Sequence, residues 1–400
     1  MEKVKENSEW IFWTTIAVSF VLLEHNGTEP LFLIAYALIP LLVLIFYFKR
    51  SFWTVVFYLL LIGFLGRYTR YFRSVYSSDV LLTINDFIGY FVHGKNVYGE
   101  LVYARTGLIP FVYLPFTIYW YLPARILNID FRFFEMIVSA FVPIVFFLST
   151  WTVKNKWKVL PVLSVISLTP FLLDLSADGS NDNSAIFLLL ASIALLSFSR
   201  VRKSVRLGVL SAIFLGFAIT FKHYSFFYLL FFVPFAFKNK SSTFSSGPVS
   251  SKKLQDSEKV LDKSFLPISF KKYFLIVFLT FVIIALPFFL RSPIGFLKSF
   301  VYVEVSNQAN HPIWGWNIWL ALKYLFNFVP NIQLVWATRT FAVLTTIASS
   351  FLFLKINKYN KVFVASSAAI LVYLIFSQWT TFAYFTFLVP LLCLSAFDDL

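Results

Sequence analysis

The sequence predicts an all-α, polytopic membrane protein of about twelve transmembrane helices, and three observations carry that prediction. Hydrophobic residues fill 59% of the 400 positions and charged residues only 13%, about half the roughly 25% usual in soluble domains. Long apolar runs recur at lengths suited to a hydrocarbon core of roughly 30 Å. Aromatics reach 21%, including 52 Phe, and many Trp and Tyr sit at the ends of the apolar runs, as headgroup anchors do.

Spans are expected near residues 10–23, 31–48, 52–66, 133–153, 159–173, 184–198, 207–221, 224–237, 273–290, 333–354, 362–378 and 381–398. The first run lacks a small-residue cleavage site and leads straight into the second, which reads as a retained anchor. The single cysteine, Cys393, lies in the last run, so neither an intrachain disulfide nor a cysteine metal site can form.

The net charge of +15 lies mostly in short clusters between spans, a positive-inside pattern that argues against nucleic acid as partner. With the N-terminus inside, Lys49–Arg50, Lys154/Lys156/Lys158, Arg200/Arg202/Lys203/Arg206 and Lys355/Lys358/Lys361 fall on the cytoplasmic side. The opposite connections at 24–30, 174–183 and 379–380 carry no Lys or Arg. Both termini are then cytoplasmic in a multi-pass cell-membrane protein.

The chain divides into an N-terminal membrane hairpin (1–51), a second membrane module (52–237), a Ser/Lys-rich linker (238–272) and C-terminal helices (273–400). The linker reads as disordered and cytoplasmic because it has nothing to bury. Two long outer segments remain, 67–132 and 291–332. Val80–Val92 suits a helix lying in the interface, and 108–122, interrupted by Pro110 and Pro115, reads as interfacial or re-entrant. Charge within the spans is expected to be limited to Arg339.

All four histidines (His25, His93, His223, His311) and the acids Asp79, Asp86, Glu100, Asp174, Asp178, Asp182 and Glu304 fall on the expected outer face. Asp79 and Asp86 are seven residues apart, which on a helix places them two turns apart on one face. A carboxylate just outside a membrane can take the proton of a hydroxyl; ordinary solvated loop acids are the plainer alternative. Asn26–Gly27–Thr28 is an outward glycosylation sequon.

The run SSDVLLTINDFIGYFVHGKNVYGE (77–100), followed by YLPF (113–116), resembles the first outer loop of GT-C glycosyltransferases. These membrane enzymes take sugars from polyprenyl-phosphate carriers. The pattern is most similar to polyprenyl-phosphate-mannose-dependent mannosyltransferases, including the catalytic subunit of GPI-anchor assembly. Asp79, Asp86, the Gly94–Lys95–Asn96–Val97–Tyr98 turn and Tyr113–Leu114–Pro115 fill the family's positions. ADGSNDNSA (177–185) resembles its second acidic loop, followed by a basic turn (RVRKSVR) and a helix ending in TFKHY (220–224). The likeness covers roughly 60–235. One departure is Ser77–Ser78–Asp79, where the family often has an acid-x-acid pair, so one metal ligand of such a pair is missing.

The resemblance implies a GT-C-like fold with a long catalytic first outer loop carrying interfacial helices. It further implies transfer of mannose or another hexose from a polyprenyl-phosphate donor to a lipid, glycan or protein acceptor, with inversion. Asp79 would be the base, with Asp86, Tyr98, Asp178 and Asp182 positioning substrate. Asp79, Asp178 and Asp182 would hold a divalent metal, magnesium or manganese, if one is used. Lys222, Arg291 and Arg339 could stabilise the leaving phosphate, although snorkelling explains the first two singly. His223 is a further substrate-binding candidate, as is His311 in NQANHPIWGWNIW (307–319), where an interfacial aromatic belt is the alternative. Two rival functions remain open: transport of lipid-linked sugars, and polysaccharide ligation or polymerisation.

Overall fold

The computed structural model describes residues 2–24, 30–49, 51–104, 107–241, 266, 268–302, 314–354, 356–377 and 379–400. The chain is mostly helical. Among the described residues, five helices are long and apolar enough to cross a membrane by length and composition: Phe52–Arg73, Phe131–Ser149, Asp182–Arg202, Phe270–Arg291 and Gln333–Leu352. Shorter apolar helices lie within most of the other expected spans. In the last two of the five, little of the apolar surface is covered by protein; Leu275, Ile283, Phe341 and Leu352 are exposed. Apolar side chains displayed in such numbers on a helix surface require hydrocarbon as their solvent.

The N-terminal hairpin is α1 (Glu2–Glu24) and α2 (Pro30–Lys49). The third helix, α3, runs Phe52–Arg73, about two turns beyond the expected end at 66, and stops where Ser74 caps it. Arg67 therefore lies inside a spanning helix and is fully buried. Glu135, inside α6 (Phe131–Ser149), is buried as well. The expectation that Arg339 is alone among charges within the spans is thus overturned, because internal hydrogen bonds replace the water that both groups lose.

The partners of Arg67 show what it does. The fifth expected span is broken into α7 (Val159–Leu168) and α8 (Pro170–Asp174). Pro170 has no N–H to give the carbonyl of Ile166, four residues earlier. Arg67 donates from Nη2 to that carbonyl at 3.3 Å, from Nη1 to Ser167 O at 2.9 Å and Gly63 O at 2.9 Å, and from Nε to Ser139 Oγ at 2.7 Å. One guanidinium closes the break that aims α8 toward the loop at 175–181.

The first outer segment holds α4 (Val80–Val92), a helix at the position expected of an interfacial one. Leu81, Ile84, Phe87 and Ile88 face inward, while Leu82, Asp86 and Val92 are exposed. The 108–122 segment is not one helix. Leu101–Ala104 (β1) and Gly107–Pro110 (β2) pair antiparallel, Leu101 opposite Pro110, and α5 (Phe116–Ile126) follows. The two prolines end the strand and open the helix.

The remaining helices are α9 (Asp182–Arg202), α10 (Val205–Phe221), α11 (Ser225–Ser241), α12 (Phe270–Arg291), α13 (Pro293–Tyr302), α14 (Ile318–Phe326), α15 (Ile332–Phe353), α16 (Tyr359–Ile375), α17 (Phe382–Phe385) and α18 (Leu388–Ser395). The last expected span is thus broken between α17 and α18. The apolar core is continuous across the linker. Helix α12 packs on α10 so closely that a Cβ on Gly216 would lie 2.6 Å from Thr280 Cβ. Within the expected linker, Leu266 and Ile268 are buried; residues 242–265 lie outside the described residues, as do His25, the sequon, Glu304 and His311.

Contacts sort the loops to two ends. At one end the loops around 77–79, 113, 178–182, 222–224 and 377–384 meet. At the other, Lys154 N donates to Asp399 Oδ2 at 2.8 Å and Asn360 Nδ2 to Asp398 Oδ1 at 2.8 Å.

Candidate functional site

The loops at 74–79 and 175–181 interlock through their backbones. Ser77 N and Ser78 N both donate to Asp178 O, at 2.9 and 2.8 Å, and Leu81 N donates to Gly179 O at 2.9 Å. Gly179 adopts φ +96°, and a Cβ there would lie 2.5 Å from Ser78 O; only glycine fits this crossing. The Asp178 carboxylate closes a turn by accepting from Ser180 N at 2.8 Å. Burial pushes the Asp178 carboxyl up from its ordinary value, against that hydrogen bond.

Asp182 opens α9, where the helix dipole favours an anion. It is 2% exposed and pairs with Lys222, Nζ to Oδ1, at 2.5 Å. Lys222 caps α10 and also reaches Asn181 Oδ1 at 3.2 Å. The same ammonium lies 5.2 Å from the Tyr384 ring centroid and 5.9 Å from that of Tyr224. Asn181 is buried, and its Nδ2 has no hydrogen-bond partner among the described residues.

Asp79 stands at the N-cap of α4 without capping it. Tyr113, half-buried beside it, links the loops: burial raises its phenol strongly, followed by Tyr384 and then Asp79 and Asp182, while a hydrogen bond with Thr83 opposes them. Tyr98 is buried against Phe111, Phe288 and Phe296 and donates its hydroxyl to Tyr113 O at 2.9 Å. Its part is to hold the backbone that presents Tyr113.

Arg339 is buried in α15, 4.2 Å from the Trp336 ring centroid and 4.8 Å from that of Tyr373, with Ser377 Oγ 3.5 Å from Nη1. The Tyr373 ring also contacts His223 at 5.3 Å between centroids. His223 is exposed at its ring yet surrounded by protein at longer range. Desolvation, then Lys222 and Arg339, pull its pKa down to about 3, so it is neutral near pH 7.

Asp79, Asp182, Lys222, His223 and Arg339 therefore converge through four tyrosines: Tyr113, Tyr224, Tyr373 and Tyr384. Three buried charged groups (Asp182, Lys222, Arg339) lie among these rings, of which Tyr224 is buried and Tyr113, Tyr373 and Tyr384 are partly accessible. Cations held this way can neutralise an anion with little reorganisation. No protein-family model matches the chain, and no curated protein matches it. What the site does must therefore be read from its chemistry.

The other expected residues stand apart. Asp86 lies on the exposed side of α4, where partial burial raises its carboxyl and the Arg125 guanidinium opposes that shift. Arg291 is exposed at the end of α12, within electrostatic reach of Tyr119. Among the described residues no three His, Cys, Asp or Glu side chains form a group able to hold a metal.

Sequence reasoning missed Asn181, the four tyrosines' convergence and Glu135. Glu135 accepts from Tyr121 Oη at 2.7 Å, from Ser184 N at 2.8 Å and from Ser184 Oγ; Trp120 Nε1 donates to Ser184 Oγ at 2.9 Å. This cap contributed by another helix fixes the start of α9, and with it Asp182.

Proposed function

We propose that the chain is a GT-C-type glycosyltransferase with twelve spans. It would move a hexose, mannose by the resemblance, from a polyprenyl-phosphate donor to a lipid, glycan or protein acceptor at the extracytoplasmic face. The observation that carries the reading is the convergence of a loop carboxylate, Asp79, with two buried cations, Lys222 and Arg339, at the junction of the two acidic loops. Asp79 accepts the acceptor's hydroxyl proton as that oxygen bonds to the anomeric carbon. The bond from that carbon to the phosphate oxygen breaks, and the phosphate leaves with the electron pair. Lys222 and Arg339 face the charge that develops there, and Asp182 holds Lys222 in place. The aromatic rings suit the faces of a sugar and the start of a lipid chain.

The test is transfer from radiolabelled polyprenyl-phosphate mannose by the purified protein in native lipids. General-base contributions are typically about 10²–10⁴-fold, so Asp79→Asn should lower turnover by at least about a hundredfold. Donor binding should barely change, because the carboxylate acts in the transition state. If Asp79→Asn, Asp86→Asn, Asp178→Asn and Asp182→Asn all transfer at the wild-type rate, the reading fails.

Transport or flipping of lipid-linked sugars is the second reading, favoured by buried Arg67 and Glu135 within apolar helices and by the Pro170 break. Against it, both groups direct their hydrogen bonds to protein, as structural charges do. A ligase or polymerase of lipid-linked polysaccharide would use the same chemistry with a longer acceptor, which a panel of acceptors in the same assay distinguishes.

A further inference from the structure

A second recess lies on the other side of α4, between its first turns and the end of α5. Its volume is about 190 Å³, and Leu81, Leu82, Asn85, Arg125, Asn128 and Tyr76 line it. That is smaller than the roughly 300–1,000 Å³ of sites that enclose a whole small ligand, and suits a single ring bound at an open surface. Tyr76 is three residues before Asp79, so their Cα atoms are at most about 11 Å apart.

The lining is preorganised and nearly neutral. Arg125 Nη1 donates to Asn85 Oδ1 at 3.0 Å, which fixes the amide and leaves its N–H₂ to face a ligand. Asp130 accepts from Tyr76 Oη at 3.0 Å, from Tyr71 Oη at 3.1 Å and from Arg132 N at 2.9 Å. Those bonds, with the Arg132 guanidinium 4.6 Å from the Tyr76 ring centroid, hold the Tyr76 ring at the wall. Asn128 turns the chain at φ +52°, and its exposed amide has no hydrogen-bond partner among the described residues.

Amides and a guanidinium at fixed positions, an aromatic wall and an aliphatic floor match a polyhydroxylated ring: hydroxyls to the amides, C–H faces to Leu81, Leu82 and Tyr76. Arg132 lies 3.7 Å from Asp130, and Asp86 is within electrostatic reach of Arg125, so each cation here already has a carboxylate, and a phosphate or other strong anion gains little. It would go instead to Lys222 and Arg339.

We propose that this recess is a saccharide subsite, separate from the donor's phosphate site, that holds a sugar of the acceptor beside Asp79. Its role in transfer rests on the transferase reading; its affinity for sugar does not. The experiment is saturation-transfer NMR on the full-length protein in detergent, with mannose, glucose and galactose disaccharides as probes. Wild type should saturate the ring protons of at least one disaccharide. Asn85→Ala/Asn128→Ala, two substitutions on exposed or half-exposed side chains, should cut that signal at least fivefold, whereas Lys222→Arg should keep it. Absence of signal from every disaccharide with wild type, or an undiminished signal from the double variant, overturns the proposal. In the transfer assay the double variant should raise the acceptor KM about tenfold at unchanged donor KM. Sugar binding without any transfer by wild type would overturn the transferase reading while leaving the subsite intact.

Discussion

Replacing Lys222 with methionine removes the ammonium but keeps most of the aliphatic stem. Asp182 is then left 2% exposed and without its 2.5 Å partner. Breaking a buried pair by deleting one member typically costs about 3–5 kcal/mol. The N-terminus of α9 returns about 1 kcal/mol of that to the orphaned carboxylate, so Lys222→Met should lose about 2–4 kcal/mol. Lys222→Met/Asp182→Asn should lose clearly less, since no uncompensated charge remains, and the double-mutant cycle should give a coupling of at least about 1 kcal/mol. Unfolding can be followed with a thiol-reactive fluorophore, because Cys393 is the single cysteine and is packed in the last helix. If the single variant unfolds at the wild-type temperature, or the double variant is worse than the sum of the singles, the pair is not the buried bridge described and its role in holding the cation falls with it.

Three further outcomes can be checked. Arg67→Leu strips the donors from Ile166 O and Ser167 O; two orphaned carbonyls at about 1–3 kcal/mol each, less the relief of not burying a cation, predict a loss of about 2–4 kcal/mol, measured by the same thermal assay. His223 binds its proton less readily folded than unfolded, about 3 against an ordinary 6.5. Its contribution is therefore present above about pH 6.5 and lost progressively as pH falls toward 3; the unfolding temperature should drop from pH 7 to pH 5, and His223→Gln should flatten that drop. In a Cys393→Ser background, Asn96→Cys and Asp174→Cys, the latter at an exposed position of the 174–183 connection, should react with an impermeant thiol reagent from outside intact cells and Ser246→Cys should not, with the reverse pattern refuting the orientation.

Element positions were largely legible from the sequence because hydrocarbon imposes a length and a composition on anything that crosses it. The helices at Val80–Val92, Asp182–Arg202 and Phe270–Arg291 fall where apolar runs put them. The expected breaks at Pro110 and Pro115 appear as the end of a strand and the start of a helix, since proline removes a donor whatever surrounds it. Where a helix ends in the presence of charge was not legible. The span is expected to end at 66, yet the helix continues to Arg73, with Arg67 bonded to the Ile166 carbonyl that Pro170 frees and to its neighbour Ser167 O, a hundred residues away. The same holds for the site: Asp79, Asp182 and Lys222 stand out as residue types, but nothing local in the chain says that Lys222 turns to Asp182 or that Tyr113 lies between the two acidic loops. Those are long-range contacts, made where packed helices bring distant loop ends together, and a buried charge can be tolerated only once that packing has supplied its partners.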